Sequence, residues 1–289
     1  MNINIKTNLT GTDKHKCRSL AALALAGVLG SLGMANTAQA APIYQTGFEN
    51  PPFVANLTLP SQDGWVVGGT PEGLLSPTAA VISTNRPRQG QQSVLVSGAN
   101  LIHQDFVNSV TGGYYDAIGS YRKTVDYDTR GAKTVRVSAH VRVDGRLTSG
   151  NNFFSASFGS RGADIASTNG GDTTGNGEIT ISSDGHVYGA TGNDNVPVFL
   201  ASKRIELGEW HNLAVETNFA TRKMTFFVDD DCLGSFPFVS GFTGNFVRRG
   251  GMVVYAAPDT ATLHKANYRA RYDQYSIKTV TPEKCRVHR

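Results

Sequence analysis

Arg136, His140 and Arg142 stand at i, i+4 and i+6 within the segment Lys133 to Val143, KTVRVSAHVRV. Side chains of a strand alternate between two faces, so these three share one face with Ser138 while Val135, Val137, Ala139, Val141 and Val143 share the other. A guanidinium fork pairs with carboxylates in a two-pronged geometry, and an imidazole can act as acid or base near neutral pH. Aromatic residues from neighbouring strands, such as Tyr121 or Tyr272, would add stacking surface. Together these groups suit a ring-shaped polar ligand such as a sugar. An ordinary half-solvated strand has the same alternation, and that reading stands beside the first.

Other clusters promise less chemistry. Asp229, Asp230 and Asp231 are consecutive, and consecutive strand residues point to opposite faces, so they read as a solvated acidic turn rather than a metal site. Asp172 and Asp194 sit in Gly-rich stretches where Asp is a common turn residue. No G-x-S-x-G, H-E-x-x-H or phosphate-cradling loop occurs. No catalytic residue is therefore assigned.

The elements that must position these residues begin after a leader. Lys14, Lys16 and Arg18 precede an apolar run from Leu20 to about Met34, and Ala38-Gln39-Ala40 closes it. This is the pattern of a secretory signal peptide over residues 1–40, with a retained membrane helix as the alternative. Removing four of the 27 basic and one of the 23 acidic residues leaves 23 against 22, a net charge of +1. A broad electrostatic case for nucleic acid or an anionic membrane thereby disappears. Cys232 and Cys285 are the cysteines left after cleavage, and an oxidising compartment would pair them; two free thiols in a reducing one is the alternative. With no paired histidines nearby, they do not make a zinc site.

Residues 41–289 carry many glycines and short alternating segments but no long helical stripe, which predicts one large all-β domain, a sandwich or a barrel, with a short C-terminal tail. Strands are expected at Ile43 to Phe48, Gly64 to Val67, Ala79 to Ser83, Ser93 to Ser97, Ser120 to Val125, Phe153 to Phe158, Glu178 to Ser182, His186 to Tyr188, Met252 to Tyr255 and Tyr268 to Ile277. Asp184-Gly185 reads as a tight hairpin turn, and Ser167 to Gly177 and Thr191 to Asn195 as loops. Leu213 and Val215, then Met224, Phe226 and Val228, alternate around the polar turn Asn218 to Lys223, and Trp210 covers the end of that hairpin.

This hairpin, W-H-N-L-A-V followed by F-F-V-D-D-D-C-L-G, resembles the late hairpin of concanavalin A-like, laminin-G-type jelly-roll domains. Gly47-Phe48-Glu49, Gln62-Asp63-Gly64-Trp65 and the stretch Gly90 to Val96, GQQSVLV, fit the same picture. Asp230 departs from it, standing where a turn glycine is usual. The resemblance implies an all-β, antiparallel jelly-roll β-sandwich. It also implies one structural Ca2+ held by Glu49, at the end of the first strand, and Asp273, at the start of the last. The plainer alternative has Glu49 beginning a loop and Asp273 pairing with Arg269 or Arg271.

Hydrolytic relatives carry E-x-D-x-x-E, and none of the seven Glu residues here starts that pattern. Lyase relatives use Tyr and His beside Arg and Gln, types echoed at His103-Gln104 and from Tyr268 to Tyr275 without the motifs. The expectation is thus an exported, disulfide-bonded, lectin-like carbohydrate-binding protein without catalytic activity, secreted or periplasmic. Its partner would be an extracellular or cell-envelope glycan, with no nucleic acid and no membrane span after cleavage; the oligomeric state stays open. Alternatives are a polysaccharide lyase or glycoside hydrolase acting on the concave sheet face, and a structural or adhesive envelope protein.

Overall fold

In the computed structural model, the residues described are 42–67, 79–97, 116–130, 133–144, 153–162, 165–166, 172–173, 176–182, 184–192, 198–199, 203–238, 244–257 and 269–285. The leader at 1–40, His103-Gln104 and Asp194 lie outside them. In chain order the strands are β1 (Pro42–Thr46), β2 (Trp65–Val67), β3 (Ala80–Ser83), β4 (Ser93–Ser97), β5 (Asp116–Asp128) and β6 (Thr134–Asp144). Then come β7 (Phe153–Gly162), β8 (Ile165–Ala166), β9 (Asp172–Thr173), β10 (Asn176–Ser182), β11 (His186–Gly192) and β12 (Val198–Phe199). The last are β13 (Lys203–Arg204), β14 (His211–Asn218), β15 (Lys223–Val228), β16 (Asp231–Pro237), β17 (Phe246–Ala257) and β18 (Arg269–Val280). The expected strands are all present, several of them longer than expected. The loop expected from Ser167 to Gly177 instead contains β9 and the first residues of β10.

Among the described residues two eight-stranded sheets form. Sheet A runs β16-β15-β14-β6-β18-β4-β3 with β1 also on β18; sheet B runs β12-β11-β10-β7-β17-β5-β2 with β13 on β11. The chain passes repeatedly between them, so strands distant in sequence become neighbours. β6, for example, lies between β14 and β18.

The valines of β6 and Leu213, Val215, Phe226, Ile179, Ile181, Met252 and Val254 are all buried between the sheets, the outcome that alternation predicts for one-sided strands. Glycines let the sheets approach. A Cβ on Gly189 would lie 2.6 Å from Phe226 Cγ, and one on Gly177 would lie 2.7 Å from Met224 Sδ. Gly250 faces the Tyr275 hydroxyl in the same way. At one end an aromatic cluster closes the core, with Trp65 5.2 Å from Tyr275 and 5.9 Å from Phe48 between ring centroids. Trp65 Nε1 donates to the Tyr44 hydroxyl at 2.9 Å, which in turn donates to Asp63 at 2.6 Å. The Q-D-G-W motif is thus a turn, with Asp63 and Gly64 left-handed, that delivers the indole to the core.

Candidate functional site

The polar face of β6 forms, and its arginines are taken up by carboxylates of neighbouring elements. Arg136 is 7% exposed; its Nη1 donates to Glu283 Oε1 at 2.6 Å and to Glu216 Oε1 at 3.3 Å. Asp230 Oδ1 lies 3.8 Å from Nη2, and the guanidinium stacks 5.0 Å from the centre of the Phe227 ring. Glu283 belongs to the tail after β18, and its backbone N–H donates to Glu216 at 3.2 Å. Two residues on, Cys285 is bonded to Cys232 of β16, with Cα atoms 5.3 Å apart. The tail therefore lies against the arginine. Burial pushes the Glu216 carboxyl up, against the Glu283 N–H and the Arg136 charge that favour its ionised form.

The rest of that face is also engaged. Arg142 Nε donates to Asp144 at 2.6 Å, and Arg271 Nε donates to the other oxygen at 2.9 Å. Burial opposes ionisation of Asp144, but the two guanidiniums outweigh it and hold the carboxyl below its usual range. His140 is half-buried, and burial followed by the Arg88 charge lowers its pKa against the pull of Asp229 and Asp230. Tyr121 and Tyr272 correct the expectation outright. Both are fully buried in the core, Tyr121 on sheet B, so neither can stack on a ligand beside Arg136, His140 and Arg142.

Glu49 and Asp273 converge on one loop. Glu49 Oε1 accepts from the N–H groups of Gln91 and Gln92 at 2.9 and 3.1 Å, and Asp273 Oδ2 from those of Arg88 and Gln89 at 2.8 and 3.0 Å. The loop between β3 and β4 is thereby tied to both ends of the chain. Gly90 is left-handed, and a Cβ there would strike the Glu49 carboxylate. Asp273 is wholly buried; burial raises its pKa, the loop N–H groups oppose the rise, and the Glu49 charge adds to it. Neither Arg269 nor Arg271 is its partner in these contacts. Gln92 Oε1 is buried with no hydrogen-bond partner among the described residues.

The three aspartates diverge, each toward a different partner. Asp229 accepts from Asn212 N–H at 2.9 Å and sits 2.7 Å from His211 Nδ1. Asp230 approaches Arg136, and Asp231 pairs with Lys203. Asp229 and Asp230 have φ of 49° and 67°, the two successive left-handed residues of a type I′ hairpin turn. Asp tolerates that conformation, so the missing glycine leaves the turn intact.

A different face carries the more open arrangement. On sheet B, residues alternating with the buried Ile179, Ile181, Val187, Tyr121 and Met252 point away from sheet A. One row across this outer face pairs Ala190, Glu178, Gly159, Gly251, Arg122 and Val66 in register. Its centre is two glycine positions, between Glu178 and Arg122 on strands about 14 Å apart, three strand spacings. Glu178, Gly251 and Arg122 are half-exposed, as are Thr180 and Tyr188, which pair in the next row. His186 packs beside Tyr188, ring centroids 6.0 Å apart. Sequence reasoning missed this face. Its one local signal is Gly250-Gly251 inside an otherwise β-rich strand, since an interior glycine marks close backbone approach.

No protein-family model matches the chain, and no curated protein matches it in sequence. Among solved structures it is similar to an endo-1,3-beta-glucanase from Streptomyces sioyaensis, at 12% identity and TM-score 0.54, over 84% of this chain and 97% of that one. It is also similar to a carbohydrate esterase from Shiga toxin-encoding bacteriophage phi24B, at 12% identity and TM-score 0.51, over 84% of this chain and 100% of that one. At such identities the likeness is one of fold. The chain has an all-β, antiparallel jelly-roll sandwich fold of the concanavalin A-like kind.

Proposed function

We propose that the chain is an exported glycan-binding protein that holds its ligand without chemistry, on the outer face of sheet B. The observation that carries this reading is the row in which Glu178 and Arg122 flank Gly159 and Gly251. A floor without side chains lets a sugar ring approach the backbone, while polar groups at its sides and Tyr188 nearby offer hydrogen bonds and stacking. Glycoside hydrolysis ordinarily requires two carboxylates flanking the scissile bond. Strands β10, β7 and β17 supply one acidic residue, Glu178, which favours binding over hydrolysis. Export is supported by the leader pattern and by the Cys232–Cys285 bond, the kind that persists in oxidising compartments. Among the described residues no helix is long and apolar enough to cross a membrane.

A glycan array, followed by incubation with the bound polysaccharides, tests the reading. Binding with no new reducing ends and no unsaturated products is expected. Product release would establish the hydrolase or lyase alternative, and silence on the array would favour the structural or adhesive one.

A calcium ion at Glu49 and Asp273 belongs to the same reading. Among the described residues no three His, Cys, Asp or Glu side chains converge on one point, so the two carboxylates would need carbonyl and water oxygens to complete a shell. Gln92, whose N–H bonds Glu49, has a buried Oε1 without a hydrogen-bond partner among the described residues that fits that need, and the Asp273 pKa, raised by burial and further by the Glu49 charge, fits a site that a cation would relieve. The ion would supply positive charge tying the exit of β1 to β18. Calcium is expected to raise the melting temperature, corresponding to about 2.7 kcal/mol at a hundredfold excess over its dissociation constant. The gain should shrink as pH falls through the raised Asp273 pKa, where protons compete. A melt indifferent to both chelator and calcium would contradict this.

A further inference from the structure

We propose that His186 sets the specificity of the sheet B face: held by Asp184, its ring offers Nε2 as an acceptor for an unsubstituted sugar hydroxyl. The ligand is then a glycan free of ester and ether groups at that position; this rests on the glycan-binding reading above. His186 and Ser182 stand at the turn end of the hairpin formed by β10 and β11, and they alternate with Val187 and Ile181, which are buried between the sheets. They therefore belong to the outer face. Along β11 the positions His186, Tyr188 and Ala190 lead to the glycine row over about 14 Å, so a sugar chain laid along the strand meets both.

The turn decides which nitrogen meets the ligand. His186 Nδ1 lies 2.7 Å from Asp184 Oδ2, and the other carboxylate oxygen accepts from the His186 N–H at 3.2 Å and from the Ser182 hydroxyl. Burial pushes the Asp184 carboxyl up, but the donations from Ser182 and His186 outweigh it and hold the carboxyl down at about 2. Asp184 is thus an acceptor only, so Nδ1 carries the proton of the neutral ring and Nε2 carries the lone pair. Among the described residues nothing bonds Nε2, and the side chain is 32% exposed. Gly185 closes the turn at a φ of 86°, and a Cβ there would lie 2.5 Å from the Ile205 carbonyl, which leaves the turn little room to shift.

A Ser, an Asp and a His in contact match a hydrolytic triad in residue type but not in arrangement. The Ser182 hydroxyl is buried, and it bonds Asp184 and, at 3.0 Å, the His186 carbonyl rather than the imidazole. Nucleophilic catalysis needs the hydroxyl on the imidazole, so the arrangement serves recognition. It presents an acceptor of fixed direction beside the Tyr188 ring, whose centroid is 6.0 Å from that of His186. A site built to accept a hydroxyl proton discriminates against a ligand in which that hydroxyl is capped.

The test is calorimetric titration of the protein with β-glucan, xylan and mannan oligosaccharides, each in unsubstituted and O-methylated form. At least one unsubstituted oligosaccharide is expected to bind about tenfold or more tighter than its methylated counterpart. His186→Phe keeps a flat ring and removes the acceptor; it should weaken the unsubstituted form about tenfold and leave the methylated form unchanged. Asp184→Ala, which frees the ring, should show part of the same loss. Equal binding of the two forms, or a preference that survives His186→Phe, overturns the proposal and leaves the glycan-binding reading standing. Binding of none of the six removes the proposal, and the glycan array then decides the reading beneath it. Should a variant fail to fold, the wild type decides by NMR: the His186 Nε2 resonance must move on adding the bound oligosaccharide while Nδ1 keeps its proton, and an unmoved Nε2 overturns the proposal.

Discussion

A buried guanidinium is stable only when its donors and its charge are answered, and Arg136 shows how this chain answers them. Glu216 comes from the neighbouring strand and Glu283 from a tail 147 residues away in sequence. Arg136→Ala would leave Glu216, 2% exposed, without its main countercharge, a loss of about 3 kcal/mol by analogy with other broken buried pairs. The sign with pH follows from the raised Glu216 pKa. Its stabilising, protonated form is fully present below the unfolded pKa, and that contribution is lost as pH rises through the folded value. Removing Arg136 raises that folded pKa further, so the variant's deficit should grow as pH rises above the wild-type folded value, as read by urea unfolding at several pH values; a deficit that shrinks instead would contradict the pairing. At this scale the sequence was partly legible. Alternation placed Arg136, His140 and Arg142 on one face, but no local pattern reveals that Glu283 closes over Arg136, because that contact is made by the tertiary path of the tail.

Strands were the most legible elements, since their period-two pattern is local. Their irregularities were not. β18 bulges between Asp273 and Ser276, with Gln274 left-handed, so Tyr272 and Tyr275 both face the core although they are three residues apart. Simple alternation would send one of them outward, and the bulge is what turns both inward. Glycines of sheet B are likewise explained only by what they meet across the sandwich. Gly189→Ala should cost about 1–3 kcal/mol through overpacking against Phe226, and Phe226→Leu in the same chain should recover part of it. An unchanged unfolding midpoint for Gly189→Ala would show that the sheets are not held that close.

The whole molecule couples its ends to its sheets. Cys285 joins the tail to β16 across a separation of 53 residues, a constraint worth about 4 kcal/mol in the chain-entropy model. Cys285→Ser should lose most of that in urea unfolding; equal stability would mean the Glu283 contacts alone hold the tail. The cysteine pair and the jelly-roll class were legible because two cysteines beyond the leader pattern and a recognisable hairpin leave few alternatives. Which sheet offers a ligand face was not legible, because it depends on the tail and the loop at 84–92 covering sheet A, and both are placed by contacts distant in sequence. The central claim is that the ligand sits on sheet B. It is tested most directly by measuring glycan affinity in Thr180→Trp, which fills the outer face beside the glycine row, and in His140→Ala on sheet A. The account predicts a loss of about tenfold or more, about 1.4 kcal/mol, for Thr180→Trp and an affinity unchanged within error for His140→Ala; the reverse pattern would contradict it.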